Sequence, residues 1–144
     1  MSAHMDVLRK HCEVLGHNPI LIGHSLGAAT VLRFTEYAQI QPSRVILVGP
    51  VAKDIPSIAN EEYPDEFFSY RDSPYDTEYL QKAIPEVILF LSHDDPYIDF
   101  DPTLAYYRQL FGDKLTLREY ANAGHFNTPA GYREFPDILP YLLQ

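Results

Sequence analysis

The sequence predicts an α/β fold, a parallel sheet with helices on its faces, from two recurring patterns and the order in which they alternate. Short unbroken apolar runs recur at residues 19–22, 45–48 and 87–91. Runs of that length, rich in Val, Ile and Leu, form strands buried on both faces. Between them stand longer segments whose apolar residues return at helical spacing. Strand, helix and strand in succession form crossovers, and crossovers make neighbouring strands parallel.

The elements follow in order. Over residues 4–16, Met5, Val7, Leu8, Cys12 and Leu15 recur at mostly helical spacing, and Gly16 follows where a helix end is expected. Ile20, Leu21 and Ile22 form the first strand, read as buried on both faces. Residues 23–27 turn the chain sharply, and Ala28, Ala29, Val31, Leu32 and Phe34 continue as an amphipathic helix. Strands are expected again at 45–48 and 87–91, with a weaker, alternating one at 115–120. Helices are expected at about 76–84 and 102–111, and a last one near 132–143 closes the chain.

The connection over 49–76 exceeds an ordinary loop in length. It carries Tyr63, Phe67, Phe68, Tyr70 and Tyr75 beside Glu61, Glu62, Asp65, Glu66 and Asp72. It reads either as an acidic, solvated excursion whose rings pack back onto the sheet, or as a wall over a site.

Composition narrows the function. A chain of 144 residues with 46% hydrophobic content builds one domain, residues 1–144, with a core that needs no metal or disulfide. Eleven basic residues against twenty acidic ones leave a net charge of −9, which repels nucleic acid and anionic lipid. Cys12 is the single cysteine and asks for no oxidising compartment. The opening residues run into a charged amphipathic stretch, and no long apolar run suits a membrane span. The expectation is a soluble, cytoplasmic protein without metal or cofactor.

Gly23-His24-Ser25-Leu26-Gly27 matches G-x-S-x-G, the nucleophile elbow. In that turn a strained step from strand to helix pushes a serine hydroxyl out of the sheet edge. A side chain at 23 or 27 is expected to collide with the neighbouring strand or helix, which glycine avoids. The helix aims its amino end at the serine, so the Leu26 N–H is placed to serve an oxyanion hole. The motif follows an apolar strand and opens an amphipathic helix, the context it requires.

A serine hydroxyl needs a neighbouring imidazole to take its proton. His4, His11 and His17 precede the strand, His24 points away from the neighbouring hydroxyl, and His93 adjoins an acidic pair too closely to be oriented by it. His125, in Ala-Gly-His-Phe beyond the last expected strand, can reach back over the carboxyl edge of the sheet. The orienting acid should follow an intervening strand, where Asp94 and Asp95 both stand. Serine, acid and histidine then come in the chain order of the α/β-hydrolase fold.

Residues 22–28, 44–49, 92–98 (Ser-His-Asp-Asp-Pro-Tyr-Ile) and 124–126 together resemble the small serine hydrolases related to retinoblastoma-binding protein 9 and YdeN. The resemblance runs from about residue 5 onward. It implies a three-layer α/β-hydrolase with Ser25 as nucleophile, His125 as base and Asp95, the aspartate before Pro96, as acid. It also implies a small ester, thioester or amide as substrate. Asp99 stands where the family usually has proline. Such proteins begin with at least two strands and a Gly-rich loop that supplies the other oxyanion-hole N–H, whereas here the first strand already leads to Ser25, so the sequence reads as roughly the last four strands of that fold. The Ile20–Ile22 strand is then expected at a sheet edge, open to a second copy or a separate amino-terminal half, and the chain alone is expected to be a weak hydrolase. A second reading is a noncatalytic protein-interaction module built on the same fold.

Overall fold

A computed structural model describes residues 2–15, 18–52 and 74–143. The chain runs α1 (Ser2–Leu15), β1 (Ile20–His24), α2 (Leu26–Ala38), β2 (Arg44–Val48), α3 (Thr77–Ala83), β3 (Val87–Ser92), α4 (Phe100–Phe111) and β4 (Leu115–Tyr120), with 3-10 turns at Thr128–Ala130 and Pro136–Tyr141. All strand pairs are parallel, in the order β1-β2-β3-β4.

Because each new strand adds on the same side of the last, crossovers of one hand carry their helices to one face of the sheet. The packing follows. Val45 and Leu47 of β2 and Val87, Leu89 and Leu91 of β3 point into one core, against Ala28 and Leu32 of α2, Leu80 of α3 and Leu104, Tyr107 and Leu110 of α4. The alternate residues Ile46, Val48, Ile88 and Phe90 face the other way, against Ala123, Phe126 and the carboxyl-terminal segment. β2 and β3 are therefore buried throughout, as their unbroken apolar runs predict. β4 alternates between half-buried and exposed positions over most of its length, as its own pattern predicts.

Two expectations are corrected. β1 is not buried on both faces: Ile20 and Leu21 are half-buried and Ile22 is 44% exposed. Among the described residues β1 pairs with β2 alone, so it is an edge. The helix expected near 132–143 is absent as an α-helix, and Pro136–Tyr141 forms a 3-10 segment instead. Pro140 has no N–H to donate, and its ring would clash with the carbonyl four residues back, so an α-helix cannot run through it. The segment is held by packing: Phe135, Ile138, Tyr141 and Leu142 lie against the second core, and the Arg44 guanidinium donates to the Tyr141 carbonyl. The aromatic and acidic residues between 53 and 73, read as an excursion or a wall, lie outside the described residues. Tyr75 is described, and its ring lies 3.8 Å below the Arg33 guanidinium.

Candidate active site

The carboxyl ends of β1, β2 and β3 bring three turns together. At the first, Ser25 takes φ 55°, ψ −122°, a backbone conformation that non-glycine residues rarely adopt. The turn is pinned by backbone bonds: Ser25 N–H donates to the Val48 carbonyl at 3.0 Å, and the Ser25 carbonyl accepts from Ala28 at 3.1 Å and Val51 at 3.3 Å. Strain of this kind costs about 1–3 kcal/mol and persists only where surrounding structure over-determines it. Ser25 occupies the N-cap position of α2, yet its side chain makes no capping hydrogen bond. The hydroxyl is thus not spent on the role serine usually plays at a helix start. The Leu26 N–H belongs to the first turn of α2, where amides have no intrahelical partner.

The two glycines of the motif differ. A Cβ at Gly23 would sit 2.5 Å from the Gly27 carbonyl oxygen and 2.6 Å from Ala28 backbone atoms, so strand and helix approach too closely for any side chain. A Cβ at Gly27 would meet nothing within 4 Å, which corrects the expectation of a clash there. Gly27 lies in the first turn of α2, where the direction its Cβ would take is open.

At the end of β3, Asp95 and His125 meet: Nδ1 of His125 lies 2.8 Å from Oδ2 of Asp95, with both side chains almost wholly buried. The other carboxylate oxygen accepts from the N–H groups of Tyr97 at 2.9 Å and Ile98 at 3.2 Å. A carboxylate accepts, so in this bond Nδ1 is the donor and Nε2 is the ring nitrogen left free of Asp95. No hydrogen bond joins the Ser25 hydroxyl to this imidazole among the described residues.

The end of β2 links the pair to the serine turn. Gly49, one residue beyond the partner of Ser25 N–H, has φ +47°, and a Cβ there would stand 3.2 Å from His125 Nδ1 and 3.3 Å from Asp95 Oδ2. His24 adds a direct contact: its Nε2 donates to the His125 carbonyl at 2.8 Å, and the two rings lie 4.7 Å apart. Tyr97 meets the His125 ring edge-on at 5.1 Å. Beyond His125 opens a cavity of about 310 Å³ lined in part by Asp94, Tyr97, Asn122 and Asn127.

Asp94 does not face the imidazole. Its Oδ1 accepts from the Ser92 hydroxyl at 2.6 Å and from the Gly124 N–H at 2.7 Å, and these bonds, the hydroxyl first, lower its pKa below the ordinary value. His93 is turned outward, bonded to Glu119 at 2.6 Å and stacked on Phe100. Gly49, Ser92 and Tyr97 lie in segments that carry the resemblance, but the sequence assigns none of them a role. The one available signal was Gly49, a glycine closing an otherwise apolar run.

Known proteins share this arrangement of elements. The YdeN structure from Bacillus subtilis superposes with a TM-score of 0.78 at 24% identity, over 96% of this chain and 70% of that one. A monoacylglycerol lipase from Paleococcus ferrophilus superposes with a TM-score of 0.65 at 17% identity, over 96% and 73%. In sequence, YdeN of B. subtilis (strain 168) is 27% identical over 140 residues, 96% of this chain and 69% of YdeN. The serine hydrolase RBBP9 of Rattus norvegicus is 30% identical over 131 residues, 90% of this chain and 60% of RBBP9. The chain therefore spans between 60% and 73% of the length of these proteins. The profile of the family described as serine hydrolase matches residues 2–144, nearly the full length, and the chain belongs to that family.

Proposed function

We propose that this chain carries the reaction centre of a serine hydrolase that cleaves small esters, thioesters or amides through an acyl-enzyme. The observation that carries the reading is the buried hydrogen bond between His125 and Asp95, beside a strained turn whose serine hydroxyl is not used for capping. Ser25 Oγ attacks the acyl carbonyl carbon as His125 Nε2 takes its proton. Asp95 holds the Nδ1 proton and stabilises the imidazolium, and the Leu26 N–H donates to the oxyanion. The carbonyl re-forms, the bond to the leaving group breaks, and that group takes the proton from Nε2. Water then repeats the sequence on the acyl-enzyme, releasing the acid and restoring Ser25.

The same reading extends to assembly. Among the described residues nothing pairs with the outer side of β1, where Ile22 is exposed, and this side would accept a further strand from a second copy or from a polypeptide corresponding to the remaining length of the relatives.

A fluorophosphonate probe should label the chain at Ser25, and Ser25→Ala should abolish labelling with the fold retained. Turnover of a small ester should fall by roughly 10⁴-fold or more in that variant. Labelling that survives the substitution would overturn the assignment.

A further inference from the structure

We propose that Asp94 and Ser92 form a positioning clamp that fixes the loop carrying His125, so that its imidazole stays on Asp95. The proposal rests on the reading of His125 as the base.

The loop needs such a device. His125 stands between two residues at positive φ, Gly124 at 50° and Phe126 at 49°, in a tight turn closed by Phe126 N–H on the Ala123 carbonyl at 3.1 Å. Backbone of this kind relaxes unless its surroundings hold it. Phe126 is held by packing against Tyr120, Tyr132 and Phe135, with ring centroids 5.3 to 5.7 Å apart. That anchors the turn on its carboxyl side.

On the amino side two consecutive amides are captured by the end of β3. Ala123 N–H donates to Ser92 Oγ at 2.8 Å and Gly124 N–H donates to Asp94 Oδ1 at 2.7 Å. The Ser92 hydroxyl donates to the same Oδ1 at 2.6 Å, so one carboxylate oxygen gathers both restraints. Ser92 is 1% exposed, which keeps water from replacing it. The division of work between the adjacent aspartates follows: Asp95 holds the ring, and Asp94 holds the backbone that presents it. His24 adds a further hold, on the His125 carbonyl at 2.8 Å.

The clamp acts through hydrogen-bond geometry rather than charge, and that separates it from other roles for Asp94. Asp94→Asn keeps an acceptor at the same atom, while Asp94→Ala removes it. On a small ester, Asp94→Ala should lower kcat by roughly 10- to 100-fold with KM within about twofold, because a misplacement near 1 Å costs about that much. Asp94→Asn should recover kcat to within a few-fold. In proton NMR the His125 Nδ1 proton should broaden or vanish in Asp94→Ala and persist in Asp94→Asn. Wild-type kcat in Asp94→Ala, or an Asn variant as impaired as the Ala variant, overturns the clamp. Should the unaltered chain neither turn over ester nor take the fluorophosphonate, the hydrolase reading falls, and the Nδ1 proton alone decides: its loss in Asp94→Ala upholds the clamp and its persistence overturns it.

Discussion

Gly23 and Gly27 hold equivalent places in the motif and do different work. At 23 the first turn of α2 passes within 2.5 Å of where a methyl would lie, with backbone atoms that cannot move aside; at 27 the space is open. Gly23→Ala should therefore cost roughly 3 kcal/mol or more, the upper range of overpacking. Gly27→Ala should be neutral or gain roughly 0.5 kcal/mol, because alanine is the better helix former. Urea denaturation of the two variants checks the contrast, and equal losses would show that the turn, not the close approach, selects glycine. Gly49 is a third case, where the crowding atoms are His125 and Asp95 themselves. A glycine pressed against two buried side chains marks the space they need.

At the scale of elements, the second face of the sheet is closed by a segment that is not a regular helix. Phe90 is its centre: 1% exposed, with Phe135 at 5.1 Å, Tyr141 at 5.9 Å and Tyr120 at 6.2 Å between ring centroids. Edge-on and tilted rings of this kind add to the area they bury. Phe90→Ala should cost about 3–5 kcal/mol. Because the same cluster includes Phe126, one residue from His125, the loss should also slow fluorophosphonate labelling, whereas Leu89→Ala, which opens the opposite core, should cost comparable stability and leave labelling of the folded fraction less affected. Equal effects on labelling would detach the aromatic cluster from the site.

For the whole molecule, the sheet is asymmetric at its two ends. β4 is a half-exposed edge carrying Arg118 and Glu119 on exposed positions, the pattern by which edges resist pairing. β1 has no such charge over Ile20–Ile22 and leaves Ile22 exposed. Sedimentation velocity should show concentration-dependent association of the purified chain, reduced by Ile22→Lys. A monomer at all concentrations would remove the case for pairing at this edge.

Local residue order determined most of the architecture, since a buried strand, an amphipathic helix and an elbow each have a period or a spacing that survives in one dimension. The runs at 45–48 and 87–91, the turn at Ser25 and the order of Ser25, Asp95 and His125 were all legible there. Asp95 was separated from Asp94 only by resemblance, because adjacent residues share every local property, and which one faces the imidazole depends on where another loop arrives. The tertiary structure decided that, along with the exposure of Ile22, the role of Gly49 and the capture of the His125 loop by Ser92 and Asp94. Each depends on a partner 30 or more residues away or on where a strand lies in the sheet, and the proximity of distant segments is written in no period of the chain.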